Sequence, residues 1–256
     1  MANRLTRGLN QSTRLEIERT GVIDFTHLKP EDVVRHVPRG KIEVDWQSLL
    51  FIKNSRPADT IFLTAREGFF RTPMTPKELV SLAIDSTDKT WHDHHTNVQL
   101  LQLSEPAPVV SGNLQLLVTE QPMRKHQTSW VGVQSIERVN EVSPKKVRVQ
   151  LENGMEMIFR DTVTRLRKKM TEANRIKHHL IKEHQSSLQH FAPDKYPESA
   201  ADGFDIREDR VKRSVALLSD CMVALNQPQS PQNLRTVIVS VLRGNRGTFH
   251  FEDEQY

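Results

Sequence analysis

Cysteine, aromatic side chains and long apolar runs are all scarce in this chain, and each scarcity removes a class of protein. Cys221 is the single cysteine among 256 residues, which excludes an internal disulfide and a zinc site built from several thiolates. Aromatic residues make up 6% and hydrophobic residues 36%, a lean supply that leaves much of the surface solvated or lent to partners. No run approaches the roughly 18 apolar residues that a membrane span requires, so no membrane partner is expected. The opening "MANRLTRGLN" is basic and lacks the apolar centre of a secretory signal. A cytoplasmic setting is therefore expected, or for a viral protein the host cytoplasm or the virion. No phosphate-binding loop with a Gly-Lys-Ser/Thr ending and no dinucleotide fingerprint is present, and no cofactor is expected.

What the chain does have is charge, unevenly placed. The net charge is +4, yet residues 122–150 hold six Lys or Arg against two Glu, and residues 161–191 hold seven against three acids. Arg4, Arg7 and Arg14 add to the positive side with no acid among residues 1–14. Residues 192–210 carry six acids against three bases, and the last ten residues hold Glu252, Asp253 and Glu254 with no base. Clustered cations repel one another until an anion relieves them, so this segregation suits a polyanion-binding face.

Local pattern predicts the elements. "KVRVQLENGMEMIFRD", residues 146–161, alternates Val147, Val149 and Leu151 with Arg148 and Gln150 and turns at Asn153-Gly154, a strong hairpin signal. A helix follows over 162–191, with Asp161 as cap and no Pro or Gly inside; at 1.5 Å per residue it spans roughly 45 Å. Its apolar stripe is Val163, Leu166, Met170, Ala173, Ile176 and Leu180. Thr75, Pro76 and Glu78 form a capping box that opens a helix reaching Asp85. "KPEDVVRHVPRG" reads as one short helix between Pro30 and Pro38, and "TRLEIERTGVIDFTHL" as a short strand or a turn of helix. "KIEVDWQSLLFIKN", "DTIFLTAREGFFR", "NVQLLQLS", "NLQLLVTEQ" and "SWVGVQSIERVNE" read as strands. "IREDRVKRSVALLSDCMVALN" reads as a helix capped by Asp205, and "NLRTVIVSVLRGNRGTFHFED" as two strands over Gly244 to Gly247.

The stripe places Arg165, Lys168, Lys169, Arg175 and Lys182 on the opposite side of the long helix. Together with Arg124, Lys125, Lys145, Lys146, Arg148 and Arg160 from the preceding strands, they form the expected nucleic-acid-binding set. A solvated helix face is the plainer reading. Asn and Gln are too few on the helix to nominate base contacts. Other chemistry fails on inspection. His92 and His94 would share one side of an alternating strand, but a third metal ligand is missing nearby. "HHLIKEH" departs from the inverted zinc-protease helix at Leu180, where a ligand belongs. Cys221 beside Met222 reads as core rather than nucleophile. "GNRG" has the spacing of an RNA-clamping loop without the helix that should follow. No catalytic residue and no metal site is nominated.

The expected fold class is α+β: a strand-rich antiparallel body, a long basic helix and a small C-terminal helix-hairpin unit. A small SH3-like or OB-like barrel over 122–160 and an ordinary meander are both open. The expected divisions are a basic arm (1–14), a mixed region (15–121), the strand-rich segment (122–160), the helix (161–191), a linker (192–204), and a helix plus hairpin with an acidic tail (205–256). The expected function is non-enzymatic, sequence-tolerant nucleic-acid binding through backbone contacts, as in a viral or mobile-element complex. The alternative is a structural subunit of a homo-oligomer, such as a viral or phage particle, in which the basic helix meets acidic protein surfaces. Opposite charges at the two termini suit head-to-tail contacts.

Overall fold

The apolar runs of the first half of the chain become strands covered on both faces. The computed structural model describes residues 2–56, 59–87, 89–119, 128–191, 206–224 and 229–242. In chain order the elements are α1 (Ala2–Leu5), α2 (Gln11–Thr20), β1 (Val22–Asp24), β2 (Leu49–Arg56), β3 (Asp59–Thr64), β4 (Gly68–Thr72), α3 (Pro76–Asp85) and α4 (Trp91–Leu100). They continue with β5 (Val109–Ser111), β6 (Leu114–Thr119), β7 (Ser129–Gly132), β8 (Ile136–Ser143), β9 (Lys146–Leu151), β10 (Glu156–Phe159), α5 (Val163–Phe191), α6 (Ile206–Ala224) and α7 (Pro231–Leu242). The protein is α+β. Two units are present, one of residues 1–94 and 103–177, the other of residues 95–102 and 178–256.

Among the described residues the strands lie in the first unit, in two sheets ordered β4-β3-β2-β7-β6-β5 and β1-β10-β9-β8. Neighbouring strands run antiparallel except β1 and β10, which pair in parallel with Ile23 opposite Met157. The strand-rich segment 122–160 is thus divided: β7 joins the larger sheet, and β8 to β10 join the smaller. Neither sheet closes on itself among the described residues.

Alternation along β2 decides the packing. Ile52 points to one face with Phe62, Phe70, Leu116, Val118 and Trp130, where Leu79, Val80, Ala83 and Ile84 of α3 cover them. Phe51 points to the other face and stacks on Phe25 with ring centroids 3.8 Å apart, while Phe159 of β10 lies 5.4 Å from Phe51. The smaller sheet therefore covers the second face. Phe25, Phe51 and Phe159 are fully buried, and each contributes roughly 1.5–3 kcal/mol by leaving water. Lys53, on the Phe51 side of β2, donates Nζ to the carbonyls of Phe25 and Leu28 at 2.5 Å each and holds that crossing chain in place.

The N-terminal basic segment is part of this unit. Leu5 and Leu9 are buried, and Phe69 N–H donates to Arg7 O at 2.8 Å. Gly8 and Gly68 sit in the left-handed region at φ +83° and +88°. A Cβ on Gly8 would stand 2.1 Å from Phe69 O, and one on Gly68 2.6 Å from Arg7 O, so neither position accepts a side chain.

Several local expectations are corrected. "NVQLLQLS" is not a strand: its first half belongs to α4, which Thr90 and Asp93 open by reciprocal bonds, Thr90 N–H to Asp93 Oδ2 at 2.8 Å and Asp93 N–H to Thr90 Oγ1 at 3.2 Å. His92, His94 and His95 consequently lie on a helix rather than an alternating strand. "NLRTVIVSVL" is helical as well. Ser230 accepts from Asn233 N–H at 3.2 Å and Pro231 takes the first helical position, so cap chemistry prevails over β-branched composition. The other strand expected in that hairpin, and the 192–204 linker, lie outside the described residues. "KPEDVVRHVPRG" holds only a 3₁₀ turn at Pro30–Asp32. "KIEVDWQSLLFIKN" becomes strand only from Leu49, after a 3₁₀ turn at Trp46–Ser48. In the second unit α6 packs on α7 around Val211, Leu234 and Ile238, and Cys221 is exposed, not core.

The capping box of α3 is formed, with Thr75 N–H donating to Glu78 Oε2 at 2.7 Å and Glu78 N–H to Thr75 Oγ1 at 3.3 Å. Those bonds from Thr75, the backbone one first, hold the Glu78 carboxyl below its ordinary range, with Arg39 adding a weaker pull. Thr75→Ala is expected to cost about 1 kcal/mol in chemical denaturation. Because the Glu78 pKa is depressed on folding, its contribution is present above the ordinary carboxylate value and is lost as pH falls through the folded one. Glu78→Gln should accordingly flatten the fall in melting temperature as pH drops through and below the ordinary carboxylate range; an unchanged profile contradicts this role.

Candidate nucleic-acid interface

The hairpin-to-helix junction is built by short-range bonds. At its tip Gly154 adopts φ +82°, and Met155 N–H donates to Asn153 Oδ1 at 3.0 Å. After β10 the chain reaches Arg160 and Asp161, where Thr119 Oγ1 at the end of β6 lies 3.1 Å from Arg160 O and 2.9 Å from Asp161 Oδ2. Thr162 rather than Asp161 caps α5, accepting from Arg165 N–H at 3.3 Å. The Arg165 guanidinium donates to Asp161 Oδ2 at 2.6 Å and to Val118 O at 2.8 Å. Hydrogen bonds thus tie the end of the sheet to the first turn of the helix.

The expected cations do not all reach one face. Lys169 is buried: its Nζ donates to Glu172 Oε2 and Ser104 O at 2.7 Å each and to Ser104 Oγ at 3.2 Å. Its placement on the solvent side is corrected, for Lys169 falls three residues after Leu166 and four before Ala173, inside the buried stripe. Arg165 is engaged at the junction, its side chain 18% exposed. Arg148 pairs with Glu156 at 3.3 Å, and Lys146 Nζ donates to Thr26 Oγ1 at 3.1 Å. Lys145, Arg160, Lys168 and Arg175 are exposed in the first unit, and Lys182 is exposed in the second. Arg124 and Lys125 lie outside the described residues.

Two cations that matter were not in the expected set. Up to Lys177 the exposed positions of α5 are Thr164, Arg167, Lys168, Thr171, Asn174 and Arg175. They include three cations and no carboxylate, because Glu172 is turned inward onto Lys169 and Ser104. Arg167 also borders a groove of about 510 Å³ between α5 and β8, lined by Glu137, Arg138, Val139, Asn140, Arg167, Met170 and Thr171. Its Nη2 donates to Val139 O at 3.1 Å. Arg167 could have been found from its spacing of four residues to Thr171 and seven to Asn174, whereas Arg138 depends on β8 lying beside α5, which spacing does not reveal.

Comparison with known proteins finds no matching family model, curated protein or solved structure. Among the described residues no helix is long and apolar enough to cross a membrane.

Lys169 and Glu172 are each 8% exposed, so removing one leaves the other charge buried. Lys169→Met is expected to cost on the order of 3–5 kcal/mol, with the Lys169→Met, Glu172→Leu double variant far less destabilised. Urea denaturation of the set checks this; a single variant as stable as the parent contradicts it.

Proposed function

We propose that the protein is a non-enzymatic, sequence-tolerant nucleic-acid-binding protein that uses the solvent side of the first half of α5. The observation that carries this reading is the exposed row of Arg167, Lys168 and Arg175 without a carboxylate among them. Lys168 and Arg175 stand seven residues apart, roughly 10.5 Å along the axis on nearly the same side of the helix. Such a row can follow phosphates, each contact releasing a counterion and making affinity fall with salt. Exposed Lys145 and Arg160 add charge from the hairpin. Thr171 and Asn174 offer hydrogen bonds to sugar or phosphate, contacts that fix position without reading sequence.

A second reading, a subunit of a homo-oligomeric assembly, has its own support in the second unit. There Ile181, Leu217, Leu218 and Val223 are large apolar side chains left exposed, Val223 at 61%. Apolar side chains gathered in one small unit suit contact with another protein.

Lys168→Gln with Arg175→Gln should lower the slope of log affinity against log salt for a short duplex by about two, one per cation. Fluorescence anisotropy across a salt series checks it. An unchanged slope, or no binding by the parent protein at low salt, overturns the nucleic-acid reading. Mass photometry of the same samples addresses the assembly reading, which requires an oligomer in the absence of nucleic acid.

A further inference from the structure

β8 is the last strand of its sheet: β9 pairs along one edge, and among the described residues no strand pairs along the other. A free strand edge presents main-chain donors and acceptors and acts as a template for another chain. The groove against α5 opens beside β8. Val139 and Met170 give it apolar surface, and Arg138 and Arg167 give it charge. Arg167 occupies one edge acceptor, the Val139 carbonyl, with an exposed side chain that can swing away.

We propose that this groove takes an extended acidic segment of a partner protein, added to β8 as a fifth strand. On docking, a main-chain N–H of the incoming segment replaces the Arg167 guanidinium at Val139 O. The freed guanidinium then pairs with a carboxylate of the incoming chain, its planar fork donating to both oxygens. Strand addition of this kind draws affinity from the main chain and specificity from alternate side chains, and the two arginines select acidic ones. Nucleic acid fits less well. The groove has no aromatic ring for a base to stack on, Glu137 stands in its lining, and a sugar-phosphate chain lacks the alternating N–H and C=O groups that pair along a strand edge. The two readings share Arg167 and Thr171, but Lys168 and Arg175 do not line the groove, so the Lys168→Gln, Arg175→Gln protein separates them.

The test uses the full chain and a labelled peptide of about eight residues alternating valine and glutamate, the length of a strand, read by fluorescence anisotropy. Two further peptides carry N-methyl groups on one or the other set of alternate amides. Saturable binding is expected, with one N-methylated peptide weakened at least roughly tenfold and the other little changed. Arg138→Ala with Arg167→Ala should weaken the parent peptide about tenfold at low salt; both side chains are exposed, and circular dichroism checks that the fold is intact. Absence of binding overturns the proposal. So does equal binding of all three peptides, which would make the contact one of charge alone. Displacement of the peptide by a single-stranded oligonucleotide from the Lys168→Gln, Arg175→Gln protein also overturns it, by making the groove a polyanion site.

Discussion

A sheet buried on both faces has to be covered twice, and that constraint organises the first unit. β2, β3 and β7 carry apolar side chains to either side, so α3 closes one face and the smaller sheet closes the other. The Phe25, Phe51 and Phe159 cluster is where the second cover is fixed. Because Phe159 is the last residue of β10, the cluster fixes the end of the strand from which the chain goes on to α5. The placement of the basic side of α5 depends on this chain of packing.

α5 assigns its two sides different duties. Toward the protein, Leu166, Ala173 and Ile176 are buried together with the Lys169–Glu172 pair, which grips the Ser104 segment. Burying a charge pair gains little net stability, but it makes the geometry unforgiving, since either partner alone would be stranded. Toward water the helix keeps Arg167, Lys168 and Arg175. The buried pair takes one cation and one carboxylate inside, so the outside keeps its positive charge and shows no carboxylate up to Lys177.

Signals carried within a few residues were legible. Asn153-Gly154 announced the hairpin, and Thr75, Pro76 and Glu78 announced α3, because each is a complete local hydrogen-bonding device. Ser230-Pro231 and the Thr90–Asp93 box were equally local and were outweighed by β-branched or alternating composition, although caps act on the costly first turn of a helix. Lys169 was misplaced because a long charged side chain was assumed to face water, even though its spacing put it in the apolar stripe. Other features had no local trace. The pairing of Val22 with Glu156, the split of 122–160 between two sheets and the groove beside β8 all depend on contacts distant in sequence. Of the expected binding set, Lys145, Arg160, Lys168, Arg175 and Lys182 retain exposed side chains, and Arg165, Lys146, Arg148 and Lys169 are drawn into the fold.

Gly8 and Gly68 give the N-terminal stretch a meaning that its arginines conceal. Two backbones meet there with no room for a methyl group on either side, so the opening residues act as a fitted wedge between the 33–35 segment and the start of β4. Cutting them away to remove charge would also uncover Phe69 and its neighbours, and a change in self-association after such a truncation would report an opened interior, not a lost ionic contact.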